Sequence, residues 1–377
     1  MAHVSYYPAR ATIDLAAIRA NVGRLREYAG SAEVMAVVKA DAYGHGLVPV
    51  ARAAREAGAS WLGVAQLSEA LALRNAGDVG RLLAWLYAPG APLAECVGAE
   101  VDLAVSAPWA LAEVRAAAAE AGKAARIHLK VDTGMGRGGQ FLPAWTDMLH
   151  EAVAAQAEGL VEVVGAFSHL ARADEVDHAS VRAQFEVFAE AVRLAEAAGA
   201  HLEVRHLANS AATLTEPSVH YDLVRPGLAT YGLSPLPATE PSRLGLRPSM
   251  RLEAQLALVK AAPAGQGVSY GHTYTTRTDT QLAVVPLGYG DGIPRHASNA
   301  AEVQVGGHRY RIAGRVCMDQ FVLDIGEAQA RAGDRAVLFG PGDDGEPTAQ
   351  DWADAVGTIN YEIVTRVGAR VPREYIG

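Results

Sequence analysis

The run Val37-Val38-Lys39-Ala40-Asp41-Ala42-Tyr43-Gly44-His45-Gly46 is the segment of this chain richest in potential chemistry. Two β-branched valines lead into a lysine, and a glycine-rich turn follows. In mostly apolar company an ammonium is disfavoured by desolvation, and the neutral amine attacks carbonyl groups to form a Schiff base. A lysine at a protein rim also snorkels into water, and position alone does not separate the two. Three other patterns invite a functional reading. Gly134, Gly136 and Gly139 match the dinucleotide fingerprint GxGxxG, but that motif needs a βαβ unit and a placed acidic residue. Glycines that let Arg137 approach a site are the simpler reading. His169, Asp174, Glu175, Asp177 and His178 cluster by composition; their irregular spacing reads as a polar surface turn, because geometry makes a metal site. Asp343-Asp344-Gly345 lacks the full calcium-loop pattern and reads as a turn. No metal is expected.

Elements able to position the lysine are legible upstream and downstream of it. Short apolar runs at Glu33–Lys39, Ser60–Val64, Arg81–Leu86, Val101–Val105, Ala125–Val131, Leu160–Phe167, His201–Leu207 and Leu223–Arg225 read as strands. Helical patterns lie between most of them, as at Gln66–Ala76, Pro108–Ala121, Leu142–Gln156 and Val181–Ala198, and another, Thr12–Tyr28, precedes the first. Strands alternating with helices indicate βαβ units and a parallel sheet. About eight units in roughly 230 residues fit a (β/α)₈ TIM-type barrel, with an open doubly wound sheet as the alternative. In a barrel, Lys39 ends a strand on the face where active sites lie.

The pattern changes after Pro235. Pro237, Pro241 and Pro248 punctuate an aperiodic linker, and Val-, Leu- and Ile-rich runs follow, with a hairpin signal at Gly306-Gly307. The α/β class therefore comprises a barrel over residues 1–238 and a mainly β domain over residues 239–377. The formal charge is -9, with no Lys/Arg-rich run. Nucleic acid and anionic membranes, which need clustered positive charge, are poor partners. Met1–Arg10 has no apolar core of a secretory signal, and no window approaches a membrane span. Cys96 and Cys317 read as free thiols in a cytoplasmic protein.

Val38–Gly46 resembles the segment around the cofactor lysine of alanine racemases. Further matches follow in order: HLKVDTGMGR (His128–Arg137), Ser168-His169, Ala208-Asn209-Ser210, VRPGLATYG (Val224–Gly232), VSYG (Val268–Gly271), PLGYGDG (Pro286–Gly292), GRVCMDQ (Gly314–Gln320) and TINYE (Thr358–Glu362). Each is weak alone, but together they span both domains in order. The family has a barrel followed by a β domain, as read above from pattern.

The resemblance implies a pyridoxal 5'-phosphate (PLP) enzyme that interconverts L- and D-alanine and supplies D-alanine for peptidoglycan. Lys39 would hold PLP and act as acid and base on one substrate face. Tyr270, from the other subunit of a homodimer with shared active sites, would act on the opposite face. Tyr43, Ser210 and Tyr361, with backbone near Gly227 and Leu228, would bind the phosphate, beside Asn209. Arg225 would face the pyridine nitrogen and donate without protonating it, since guanidinium keeps its proton; His169 would buttress it. Arg137 and Met318 would bind the substrate carboxylate, and Lys130 matches a lysine carbamylated in many members. Tyr289 would line the entrance, and Asp319 would support the site. Trp85 and Tyr87 depart from the small aliphatic run usual in the family, which leaves their packing open. A PLP-dependent basic-amino-acid decarboxylase is the alternative, but that family generally sets an acidic residue against the pyridine nitrogen. A non-catalytic PLP-binding barrel would lack the second domain.

Overall fold

The computed structural model describes residues 7–175 and 177–377. Residues 1–6, part of the N-terminal stretch read above, and residue 176 lie outside them. In chain order the strands are β1 (Ala9–Asp14), β2 (Glu33–Val37), β3 (Trp61–Val64), β4 (Arg81–Ala84), β5 (Asp102–Val105), β6 (Ala125–Lys130), β7 (Val161–Phe167), β8 (Val204–His206) and β9 (Leu223–Val224). They are followed by β10 (Met250–Gln255), β11 (Leu258–Ala262), β12 (Gly267–Val268), β13 (Tyr274–Thr275), β14 (Thr280–Val285), β15 (Glu302–Val305), β16 (His308–Arg311), β17 (Phe321–Asp324), β18 (Arg335–Phe339) and β19 (Arg373–Ile376).

Strands β2 to β9 form one eight-stranded sheet in the order β8-β7-β6-β5-β4-β3-β2-β9, each pair parallel. Its two ends approach closure: Asp222 N–H donates to Arg205 O at 3.1 Å, and Arg225 N–H donates to Ala208 O at 2.9 Å. This is the expected (β/α)₈ barrel. Parallel strands are covered on both faces, so they read as continuous apolar runs rather than alternating ones; β3 and β5 are buried throughout. Helices between them use ordinary signals. The Pro108–Ala121 helix has proline in its first turn and ends on Gly122 in the left-handed conformation. Met35, Trp61, Leu83, Ala104, Phe167, Val204 and Leu223 pack as one cluster. Each comes from a different strand, and the missing one is β6, whose buried residue at the centre is His128.

The second unit holds a six-stranded sheet in the order β16-β15-β18-β10-β1-β19, a three-stranded sheet β11-β14-β17 and the pair β12-β13. It is mainly β, as expected. Val305 pairs with His308 across Gly306-Gly307, the hairpin the sequence signalled. One expectation needs correction. Thr12–Tyr28 is not one helix, because Ala9–Asp14 pairs with both β10 and β19 and the helix begins at Leu15. By contacts, residues 7–17 and 43–46 group with 247–377 in one compact unit, while 18–42 and 47–246 form the other. Among the described residues, no helix is long and apolar enough to cross a membrane.

Gly165 leaves the space that His128 fills: a Cβ there would lie 2.2 Å from His128 Nδ1 and 2.6 Å from its Cγ. Gly165→Ala is therefore expected to destabilise by about 1–3 kcal/mol through overpacking. Gly23→Ala, in the first helix with nothing within 4 Å of the added methyl, is expected to stabilise by about 0.4–1 kcal/mol. Urea unfolding of the two variants checks both signs.

Candidate active site

Lys39 stands two residues beyond β2. Burial lowers its ammonium pKa and nearby Arg137 adds to this, against an opposing pull from Glu69. The ammonium lies 5.9 Å from the centroid of the Trp85 ring. Trp85 thus packs beside the lysine, whereas Tyr87 sits edge-on to Trp109 and donates its hydroxyl to Ala104 O at 2.7 Å. Gly63 makes room for the indole, since a Cβ there would lie 2.7 Å from it.

The backbone after Lys39 is strained. Ala40, Asp41, Ala42 and Tyr43 have φ of 54°, 51°, 53° and 54°, a left-handed turn costing roughly 1–2 kcal/mol per non-glycine residue. It is over-determined by hydrogen bonds. Ala40 N–H donates to Glu69 Oε1 at 2.6 Å, Leu47 N–H to Asp41 Oδ1 at 2.7 Å, and Ala42 N–H to Val38 O at 2.9 Å.

Strand β6 ends in Lys130, whose Nζ lies 5.5 Å from the Phe167 ring centroid. Burial, then Arg137, Arg225 and Lys39, lower its pKa to about 8 against the pull of Asp132. The following loop is built around the Asp132 carboxylate. Oδ1 accepts from the N–H groups of Gly134, Met135 and Gly136 at 2.9, 2.9 and 3.1 Å, and Oδ2 accepts from Arg137 N–H at 3.0 Å. Burial would raise that carboxyl, but the four donors prevail and its pKa falls. Gly134 and Gly136 of the GxGxxG motif thus spend their N–H groups on an internal carboxylate instead of a pyrophosphate. The loop presents Arg137 exposed.

Arg225, just past β9, is buried. Its Nη2 donates to Ser168 O at 2.7 Å and Leu207 O at 3.4 Å and meets His169 Nδ1 at 3.5 Å, while Nη1 donates to His206 Nδ1 at 3.1 Å. Among the described residues its Nε–H meets no acceptor and no carboxylate touches it. Burial lowers the guanidinium to about 9, so it stays charged at neutral pH. His169 is pushed down to about 3 by burial and by Arg225, Arg137, Lys130 and Lys39. Nearby, Asn209 caps the Ser210–Thr215 helix by accepting from Ala212 N–H at 3.1 Å. Ser210 Oγ accepts from the N–H groups of Gly227 and Ala229 at 2.9 and 3.3 Å, beside the turn that opens at Leu228. With both acceptor positions used, the Ser210 hydroxyl has its proton left to donate.

The barrel unit therefore brings together Lys39, Lys130, Arg137, His169, Asn209, Ser210, Arg225, Gly227 and Leu228. Lys39, Lys130 and Arg137 have no hydrogen-bond or ion-pair partner for their side chains among the described residues. Such a set of cations calls for an anion carrying more than one charged group. The other unit holds Tyr43, Tyr270, Tyr289, Met318, Asp319 and Tyr361. There the Tyr43 and Tyr361 rings lie 6.1 Å apart, and burial raises the Tyr43 phenol above its ordinary range, with Tyr361 adding to it. Tyr289 N–H donates to Cys317 O at 3.0 Å and Gly290 N–H to Met318 O at 2.8 Å. Arg370 ties Asp319 to Asp291 at 2.9 Å each. Tyr270 is 71% exposed.

Of the residues in the composition-based acidic and histidine cluster, His178 caps the Ala179–Ala197 helix and Glu175 pairs with Arg172 at 2.6 Å. Sequence reasoning passed over Asp132, His206, His128 and Asp102. A histidine inside an apolar strand ordinarily reads as a satisfied core residue, and Asp132 is silent until its loop is folded. The available signal was the alternation of β6, which sets Arg126, His128 and Lys130 on one face.

His169 and the fully buried His206 both resist protonation in the folded chain, whereas unfolded histidine titrates near ~6.5. Below that pH the unfolded state binds protons that the native state refuses, so stability is lost as pH falls. Each imidazole contributes at most about 1.4 kcal/mol per pH unit. Melting temperature is expected to fall between about pH 6.5 and 5, with a shallower slope in His169→Gln; a pH-independent midpoint over that window would contradict the assignment.

Comparison with known proteins covers nearly the whole chain. The profile "Alanine racemase, N-terminal domain" matches residues 13–235, and "Alanine racemase, C-terminal domain" matches residues 249–375. The chain is 68% identical over 372 residues to an alanine racemase of Beutenbergia cavernae, covering 98% of both chains. It is 59% identical over 367 residues to one of Frankia casuarinae, covering 97% of this chain and 96% of that one. The crystal structure of alanine racemase from D-cycloserine-producing Streptomyces lavendulae superposes with a TM-score of 0.98 at 57% identity, covering 99% of this chain and 98% of that one. The alanine racemase of Streptomyces coelicolor gives 0.97 at 57% identity, covering 98% of each. With both profiles matched and whole-length relatives this similar, the chain belongs to the alanine racemase family.

Proposed function

We propose that this protein is a PLP-dependent alanine racemase. The carrying observation is the set of unpartnered cations, Lys39, Lys130 and Arg137, grouped with a buried Arg225 whose Nε–H has no acceptor among the described residues. PLP fits this chemistry: it brings a carbonyl for an amine, a phosphate for hydroxyl and N–H donors, and a ring nitrogen that accepts. Lys39 would hold it covalently, Ser210 and the backbone at Gly227 and Leu228 would receive the phosphate beside Asn209, and Tyr43 and Tyr361 would add hydroxyls. When bound, the cofactor supplies the electron sink that makes the Cα–H bond of an amino acid acidic.

The protein's own residues do the rest. A lysine with a lowered pKa holds a usable fraction of neutral amine, so Lys39 Nζ takes or returns a proton on one face. Tyr270 of the partner subunit is assigned the opposite face, in a homodimer; its exposure in the single chain supports this. Arg137 and Met318 N–H orient the substrate carboxylate, with the Met318 loop held by Tyr289, Asp319 and Arg370. Arg225, supported by His169, donates to the ring nitrogen without surrendering its proton. The absence of a carboxylate at Arg225 among the described residues runs against the decarboxylase alternative. Lys130 is proposed as a carbamylated residue: its lowered pKa supplies the free amine that reacts with carbon dioxide, and the product turns a repelling neighbour of Arg137 into an attracting one. Free Cys96 and Cys317 suit a cytoplasmic enzyme supplying D-alanine for peptidoglycan.

Optical rotation of L-alanine with the PLP-loaded protein is expected to decay to zero with no loss of total alanine. Lys39→Ala should reduce the rate by at least about 10²-fold. A stable rotation with folded, loaded protein, or loss of alanine as amine, would overturn the proposal.

A further inference from the structure

A line of polar side chains crosses the barrel interior from the N-terminal ends of its strands to Arg225. At the first end, Asp102 opens β5 and is 1% exposed. Its Oδ1 accepts from Arg126 Nε at 3.1 Å, and Arg126 also bonds Glu203 at 2.7 Å and Glu162 at 3.2 Å. Asp102 Oδ2 lies 3.3 Å from His128 Nε2, His128 Nδ1 lies 2.8 Å from His206 Nε2, and His206 Nδ1 lies 3.1 Å from Arg225 Nη1. Both imidazoles are fully buried.

Proton placement along this line has one solution. A guanidinium only donates, so His206 Nδ1 is the bare acceptor. Neutral His206 then carries its proton on Nε2 and donates to His128 Nδ1. That leaves the His128 proton on Nε2, where it donates to an ionised Asp102. Moving the His206 proton to Nδ1 sets a donor against Arg225, and moving the His128 proton to Nδ1 sets it against the His206 Nε2–H. Packing holds the orientation of both rings: Phe167 stacks on His206 with centroids 4.9 Å apart and planes 2° from parallel, and Trp61 meets His128 edge-on at 5.5 Å. A barrel interior is ordinarily filled by branched aliphatics, so two imidazoles in register with a carboxylate and a guanidinium require an explanation.

We infer that Asp102 is a positioning residue for Arg225, acting through His128 and His206 across the barrel. It fixes which nitrogen of each imidazole carries the proton and supplies a remote counter-charge. A carboxylate touching Arg225 would compete for the N–H that the ring nitrogen needs, and a distant one leaves that donor available. The functional consequence rests on the reading that Arg225 faces the cofactor; the proton placement does not.

The first test needs no variant. Nitrogen-15 spectra of the histidine-labelled holoenzyme are expected to show His128 and His206 neutral and protonated on Nε2 at neutral pH. A proton on either Nδ1, or an imidazolium, overturns the relay. The second is Asp102→Asn. The replacing amide must turn its N–H either towards Arg126, donor against donor, or towards His128, which reverses both rings; in both cases the negative end of the line is gone. Loss of alignment at Arg225 should then lower kcat at least about tenfold while KM for alanine stays within about twofold. A kcat within about twofold of the unsubstituted enzyme overturns the positioning role. Failure of the functional proposal is distinguishable, because the unsubstituted enzyme would then not racemise alanine at all.

Discussion

A guanidinium buried inside a parallel barrel, with no carboxylate touching it among the described residues, is the constraint around which this site is organised. Burying an unpaired charge is expensive unless hydrogen bonds satisfy it. Arg225 meets that demand with carbonyl oxygens of Ser168 and Leu207 and with two neutral imidazoles. These partners follow β7 and β8 or close β8 itself, so the site depends on the register and near-closure of those strands. Phe167, beneath both Arg225 and Lys130, supplies an aromatic face where an acidic residue would neutralise the pocket.

The same electrostatic logic extends to the rim. Lys39 and Lys130 are lowered by burial and by Arg137, and none of the three side chains has an ion-pair partner among the described residues. The one nearby carboxylate in the loop, Asp132, is occupied by four backbone donors. Glu69 is engaged in pinning the left-handed turn after Lys39. Acidic groups near the site are thus assigned to backbone geometry, and positive charge is left for a ligand. Strain and repulsion of this kind persist where the surrounding structure over-determines them.

Much of this was legible in the chain. The alternation of short apolar runs and helices gave the barrel, and Lys39 at the end of a valine-rich run marked the chemical face. Motif order then indicated Arg225, Ser210 and Tyr361. What stayed hidden has a common cause, which is pairing between residues distant in sequence. Thr12 and Ile13 read into a helix because nothing local reveals that β10 and β19 will flank them. The Gly134–Gly139 turn matches a dinucleotide fingerprint, and only the folded loop shows that it wraps the Asp132 carboxylate. Asp102, His128 and His206 stand on three strands, and only the closed barrel sets them in line.

The most direct measurement is the protonation state of the cofactor's ring nitrogen, read by nitrogen-15 spectroscopy of the protein loaded with ring-labelled PLP. A hydrogen-bonded but unprotonated nitrogen at neutral pH is the result required if Arg225 donates and keeps its proton. A protonated ring would contradict the account, since it would demand an acidic partner that the surroundings of Arg225 do not provide.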